Sequence, residues 1–122
     1  MKRTQRRNAT PAGENCPMTA ALAAMGGKWN LIALYYLADG QRGFNELRRL
    51  MPSISHKVLA QVLRDLEANG LVTRSVTASS PPRVDYALSP HGESLAPIVE
   101  AIRRWGHVHL RHVERAQTAQ SS

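Results

Sequence analysis

The sequence predicts a mainly α-helical fold with one small β-hairpin. Apolar residues recur at helical spacing in several segments that Gly, Pro and Asp separate. Two segments rich in β-forming residues, 71–76 and 83–88, flank a short polar loop with two prolines. A long amphipathic stretch follows them. With 122 residues and a hydrophobic fraction of 43%, the chain is sufficient for one domain with a modest core.

The first two predicted helices lie on either side of a Gly-Gly pair. Residues 17–25 form the first helix, because Pro17 is tolerated at the first helical position and the glycines end the segment. Residues 28–38 form the second helix, which an Asp-Gly pair ends. This helix is apolar around much of its surface, so we expect it to be buried or shared with a partner chain.

The third and fourth predicted helices are joined by a tight turn. A short extended piece at residues 42–43 precedes the third helix, 44–50, and Pro52 stops it. Ser55 is a good N-cap for the fourth helix, which we place at residues 55–69.

A hairpin and a last long helix complete the chain. The hairpin strands are residues 71–76 and 83–88, since apolar side chains alternate along the second. Ser89 and Pro90 open the last helix, and Pro97 should kink it or reset its start. Two helices joined by a tight turn and followed by a hairpin predict a winged helix-turn-helix.

The net charge of +7 makes a polyanion the expected partner. We expect residues 1–15 to form a flexible basic arm, 16–115 the domain and 116–122 a disordered tail. No apolar run approaches the roughly 20 residues of a membrane helix, and no apolar stretch follows the basic start as in a secretory signal. We therefore expect a cytoplasmic protein with no membrane partner.

The fourth predicted helix has a core-facing side and a polar side. The core-facing side is expected to carry Val58, Leu59, Val62, Leu63 and Leu66. On the other side Lys57, Gln61 and Arg64 form one stripe, flanked by His56 and Ala60. Lys and Arg can donate to guanine and Gln can pair with adenine, so we predict a helix that reads the major groove. A solvated amphipathic helix would carry the same residue types.

Further candidate DNA contacts surround this helix. They are Arg48 and Arg49 at the end of the third helix, Ser53 and Ser55 in the turn, and Arg74 and Arg83 in the hairpin. The two serines lie at a helix N-terminus, which can receive a phosphate. Arg83, which we place at the base of the hairpin, and Arg74 are expected at the minor groove or backbone. Arg48 and Arg49 would equally suit the negative end of their own helix.

A series of short blocks resembles the HxlR-type helix-turn-helix regulators, relatives of the MarR-type winged-helix proteins. Before the hairpin the blocks are Cys16-Pro17, Gly26-Gly27-Lys28-Trp29, Phe44-Asn45-Glu46-Leu47 and Ile54-Ser55-His56-Lys57-Val58-Leu59. From there on they include Leu63-Arg64-Asp65-Leu66-Glu67, Gly70-Leu71-Val72, Pro81-Pro82-Arg83-Val84-Asp85-Tyr86 and Trp105-Gly106. Each block is weak alone, whereas the ordered set, which covers residues 16–109, is specific.

The resemblance implies a bacterial homodimer that binds a palindromic operator on double-stranded DNA and regulates transcription, here predicted to be a repressor. It also implies a dimer interface formed by the first and last helices. In some members the cysteine that matches Cys16 senses oxidants or electrophiles. Here that thiol lies at a helix N-terminus, a setting that favours the thiolate. The alternative is a small apolar residue packed at the dimer interface.

Other functions stay open at this point. The main alternative is a winged-helix module that binds protein or RNA and no operator. A cysteine-dependent enzyme is disfavoured, because no histidine lies in a motif that would pair with Cys16. A lone cysteine cannot build a thiolate zinc site, and we expect neither a metal nor a cofactor. A small-molecule effector pocket at the dimer interface would have four candidate lining residues, Trp29, Tyr35, Tyr36 and Trp105.

Overall fold

The computed structural model describes residues 16–121, so the predicted basic arm at residues 1–15 lies outside the described part of the chain. The elements follow in the order α1 (Pro17–Met25), α2 (Lys28–Leu37), β1 (Arg42–Gly43), α3 (Phe44–Leu50), α4 (His56–Ala68), β2 (Val72–Thr77), β3 (Arg83–Leu88), α5 (Pro90–Glu93) and α6 (Ala96–Ser121). The predicted mainly α-helical fold with a β-hairpin wing is confirmed.

The hairpin belongs to a three-stranded antiparallel sheet in the order β1-β3-β2. The extended piece predicted at residues 42–43 is its third strand and pairs with β3. In the hairpin, Val72 lies opposite Leu88 at the base and Thr77 lies opposite Arg83 beside the loop. The prediction that Arg83 lies at the base was therefore wrong: antiparallel pairing puts the first residue of the second strand next to the loop.

The core lies between α2, α4 and the sheet. Its buried side chains are Ala33, Leu34, Leu37, Leu47, Met51, Ile54, Leu59, Val62, Leu63, Leu66, Leu71, Val72, Tyr86 and Val99. Four of the five apolar residues predicted for the inner face of α4 are among them. Val58 is not, since its side chain is 40% exposed. The other four set the centre of the buried face, and at 3.6 residues per turn Val58 falls on its flank.

Ser55 caps α4 as predicted. Its Oγ accepts a hydrogen bond of 3.0 Å from the backbone N–H of Val58. The other end of α4 is closed by Gly70, which has a left-handed φ of 74°, and by the Leu71 N–H, which donates to the carbonyl of Leu66. The predicted range 55–69 thus includes one capping residue at each end.

A buried junction joins the end of α4 to α5. The Ser89 hydroxyl donates to the carbonyl of Gly70 (2.5 Å) and accepts from the backbone N–H of Gly92 (2.9 Å). The Ser89 N–H also donates to the carbonyl of Leu71 (2.9 Å). A Cβ on Gly92 would collide with that Leu71 carbonyl, so only glycine allows α5 to approach so closely.

The last helices depart from the prediction in one respect. Pro97 occupies the second position of α6, which confirms that it resets the helix start. Residues 116–121 are helical, whereas the sequence predicted a disordered tail from 116 onwards. The segment is rich in Ala and Gln, which favour helix, and the Thr118 hydroxyl donates to the Glu114 carbonyl (2.9 Å). The division into arm, domain and tail stays a prediction.

The polar side of α6 carries an ion-pair cluster. Arg103 donates to both oxygens of the Glu100 carboxylate (2.7 and 2.9 Å), and Arg104 also reaches it (3.1 Å). The hydrogen bond from Arg103 is the main reason that the pKa of Glu100 falls from 4.5 to about 2.

Over the part of the chain that the structure describes, no helix combines the length and apolar character needed to cross a membrane.

The junction predicts that Gly92→Ala destabilises the fold. The new methyl group would meet the backbone of Leu71, which cannot move without breaking the Ser89 bonds. We expect the free energy of unfolding to fall by about 2–3 kcal/mol, as in other overpacked sites. Urea denaturation followed by circular dichroism measures this. Gly27→Ala is the control, because nothing lies within 4 Å of its added Cβ, and an equal loss in both variants would contradict the argument.

Candidate nucleic-acid interface

The exposed side of α4 carries the row of polar residues that the sequence predicted. Lys57, Gln61 and Arg64 are exposed, opposite the buried leucines. The Gln61 Nε2 donates to Asp65 Oδ1 (2.8 Å), while its Oε1 accepts from Arg64 Nη2 (2.9 Å). These two bonds orient the amide and leave it one N–H and one lone pair. That is what a bidentate contact with adenine uses.

His56, at the start of α4, lies against α3. Its ring is tilted on Phe44, with a centroid distance of 4.6 Å. Together with Asn45, Arg49 and Arg83, these two residues line an open cleft between α3, α4 and the hairpin loop. The fold thus brings together three predicted contacts from distant parts of the sequence.

A second cleft lies beside the turn between α3 and α4. It is lined by Asn45, Arg48, Arg49, Ser53 and Ile54. Asn45 and Arg49 are one helical turn apart and belong to both clefts. Asn45, which is exposed, was not predicted as a site residue, although a polar residue four positions before Arg49 was a usable signal in the sequence.

The two serines of the turn differ in their roles. Ser55 Oγ already caps α4, so the hydroxyl proton is what it can offer to a phosphate oxygen. Ser53 is exposed and has a φ of 77°, the only left-handed conformation of a non-glycine residue in the described chain. Its backbone strain of about 1 kcal/mol or more is held by the buried residues Met51 and Ile54 on either side.

The hairpin arginines are held in different ways. Arg83 Nε donates to both oxygens of Asp85 (3.0 and 3.1 Å), and the Asp85 side chain is only 4% exposed whereas that of Arg83 is 66% exposed. Because the bond uses Nε, the terminal Nη groups stay available for a phosphate. Arg74 lies in another cleft, with Arg64 and Glu67 of α4 and with Tyr86, so it faces the C-terminal half of α4.

Cys16 is the N-cap of α1 and is half-buried. Its carbonyl accepts from the Ala20 N–H (2.9 Å) in the first turn of that helix. The predicted position at a helix N-terminus is therefore confirmed, while a sensing role remains a prediction.

The four aromatic residues considered for an effector pocket fall into three separate sets of contacts. Tyr35 packs edge-on against Tyr36 (5.1 Å between centroids), and Trp105 stacks on His109 (5.1 Å). Trp29 packs against the core with the Lys28 ammonium over its ring. No cluster of three or more His, Cys, Asp or Glu that could hold a metal ion occurs within residues 16–121.

The chain has a helix that is fixed to the core by one face and exposes a cationic face, together with an adjoining turn and a wing. These features define a winged helix-turn-helix transcriptional regulator. Residues 24–114 match the model of the HxlR-like helix-turn-helix family. The chain belongs to this family, as the resemblance implied, and it is a transcriptional regulator of HTH type, not an enzyme.

Two curated relatives support this assignment. The HTH-type transcriptional regulator YybR of Bacillus subtilis (strain 168) is 43% identical over 84% of this chain and 82% of its own length. A second HTH-type transcriptional regulator of the same organism, YdeP, is 37% identical over 89% of this chain and 85% of its own.

A solved structure supports it as well. The redox regulator HypR in its reduced form is 41% identical, with a TM-score of 0.77 over 82% of this chain and 99% of that chain. HypR has also been solved in its oxidized form, which is 44% identical with a TM-score of 0.74 over 76% of this chain and 96% of that chain.

The Arg83–Asp85 pair predicts a stability effect separate from DNA binding. We expect Arg83→Gln to lower the free energy of unfolding by about 1 kcal/mol, because the buried Asp85 carboxylate loses its cation. The double variant Arg83→Gln, Asp85→Asn should recover part of this loss, since it removes the unpaired charge. Urea denaturation of the four proteins gives the coupling energy, and strictly additive losses would contradict the pairing.

Proposed function

We propose that this regulator is a cytoplasmic, sequence-specific repressor that binds a palindromic operator on double-stranded DNA as a homodimer. The observation that carries the proposal is the exposed row Lys57, Gln61 and Arg64 on α4. Its opposite face is fixed in the core by Leu59, Val62, Leu63 and Leu66. A helix held in this way can enter the major groove as a rigid unit.

The exposed cations around α4 support contacts to the DNA backbone. Arg48, Arg49 and Ser53 border the turn, and Arg83 borders the hairpin loop. We infer that these residues and Ser55 contact the backbone, while His56, Lys57, Gln61 and Arg64 approach base edges. Arg74 would contact the duplex from the flank of the hairpin.

Exposed apolar residues on the first and last helices support a homodimer. They are Met18 and Leu22 on α1 and Ile98, Ile102, Trp105, Val108 and Leu110 on α6. None of the residues of α1 is buried in the single chain. A shared interface of these helices would cover the apolar surface. On a palindromic operator, the two copies of α4 would then read half-sites about 34–36 Å apart, one turn of DNA.

Base reading is tested with Lys57→Ala and Arg64→Ala. After the operator is identified by sequencing of genomic DNA bound to the protein, gel-shift titration compares it with a random duplex. We expect each variant to bind the operator about 5- to 150-fold more weakly per half-site, since a good base contact contributes ~1–3 kcal/mol. Arg115→Ala, which removes an equal charge from the end of α6, is the control and should bind as the wild type does.

Two outcomes of this titration would contradict the proposal. Wild-type protein that binds operator and random duplex equally would contradict base reading. Weak salt dependence without preference for duplex DNA would favour the alternative of a protein- or RNA-binding module, because contacts to about six to ten phosphates make affinity fall steeply with salt. The repressor assignment fails if a reporter gene behind the operator loses transcription when the protein is removed.

We further propose that oxidants control operator binding through Cys16. The position at the N-cap of α1, close to the proposed dimer interface, and the redox regulation stated for HypR support this role. With a single cysteine in the chain, the disulfide forms between Cys16 of two protomers or with a small thiol. Two thiols lose two electrons and two protons, which diamide accepts.

The test compares wild type with Cys16→Ser before and after diamide treatment. We expect oxidation to weaken operator binding of the wild type by about 5- to 150-fold, the usual range of coupling between sites. Cys16→Ser should keep its affinity, and dithiothreitol should restore that of the wild type. If both proteins respond alike, Cys16 is not the sensor.

A further inference from the structure

Val58 is the one large apolar residue of α4 whose side chain is exposed. Its side chain is 40% exposed, in the first turn of the helix, next to Lys57 and three residues before Gln61. The remaining large apolar side chains of α4 are buried. A single exposed valine is ordinary on a protein surface, so its position beside the base-reading row is what gives it meaning.

The two methyl groups of Val58 are presented in a fixed orientation. The N–H of Val58 donates to the capping Ser55 Oγ, which fixes the backbone of the first turn. A β-branched side chain within a helix has one strongly preferred rotamer. A contact made by these methyl groups therefore costs little conformational entropy.

The major groove offers one apolar group to such a surface, the 5-methyl group of thymine. We propose that Val58 reads a thymine in each operator half-site by contact with this methyl group. The inference rests on the proposed function, since it requires α4 to lie in the major groove. It adds an apolar specificity determinant to the polar row, next to the base that Lys57 or Gln61 contacts.

Loss of the thymine methyl group gives a direct test. Each thymine of the operator is replaced in turn by deoxyuridine, which lacks only the 5-methyl group and keeps the hydrogen-bonding edge. At the thymine that Val58 contacts, we expect wild-type affinity to fall about fourfold per half-site and about fifteenfold when both half-sites are changed, from ~0.8 kcal/mol per buried methyl group. Val58→Ala should bind the thymine and deoxyuridine operators equally at that position.

Two further variants distinguish recognition of the thymine methyl group from a structural role of Val58. Val76→Ala removes the same two methyl groups from an exposed valine on β2 (54% exposed) and should keep the wild-type preference for thymine. Val58→Thr keeps the shape of the side chain but replaces one methyl group by a hydroxyl, so it should show an intermediate preference.

The outcomes distinguish this inference from the function on which it rests. If the wild type has no operator preference at all, both fail. A second outcome is a wild type that prefers its operator while every deoxyuridine substitution weakens wild type and Val58→Ala by the same factor. In that case the operator function stands and the thymine contact is refuted. A uniform weakening of Val58→Ala on all duplexes, with the methyl preference unchanged, would likewise assign Val58 a structural role only.

Discussion

The Ser89 hydroxyl joins the end of α4 to α5. It donates to the carbonyl of Gly70, just beyond α4, and accepts a hydrogen bond from the Gly92 N–H in α5. The helix proposed to read DNA and α5, the short helix that precedes α6, thus meet at one buried polar group. Because Gly92 has no Cβ, its backbone can approach the Leu71 carbonyl closely, and these bonds fix the position of α5 relative to the end of α4. Residues 96–121 form α6, which begins shortly after α5 ends. In a twofold dimer the orientation of α4 relative to α6 sets the distance between the two copies of α4.

The recognition surface follows from the way α4 is anchored. Four buried residues, Leu59, Val62, Leu63 and Leu66, fix one face, so the opposite face points outward regardless of its side chains. Hydrogen bonds then organise that outer face, since Gln61 lies between Arg64 and Asp65. In the hairpin, the buried carboxylate of Asp85 likewise orients the exposed guanidinium of Arg83. In both cases an acidic residue on a basic surface positions a side chain that would contact DNA.

Local signals in the sequence were enough to place most of the elements. The Gly-Gly pair, Pro52, Ser55 and Pro90 each act on their own neighbours through backbone conformation or capping, so α1, α3 and α4 were predicted close to their observed ends. Contacts between distant segments gave no such signal. Strand register decides three features: the pairing of β1 with β3, the place of Arg83 beside the loop, and the cleft that Asn45 and Arg83 both line. The helical tail from residue 116 was missed because a few polar residues at a chain end resemble disorder in composition.

The sequence by itself determined the order of elements, the basic character of the chain and the polar row on α4, because these depend on spacing within one segment. The ordered blocks also identified the family before any geometry was known. Only the tertiary structure decided which apolar residues are covered. The apolar pattern predicted that Val58 belongs to the inner face of α4, but it falls on the flank of that face, where the fold leaves its side chain 40% exposed. The residue that the pattern placed in the core is therefore one that the fold leaves exposed.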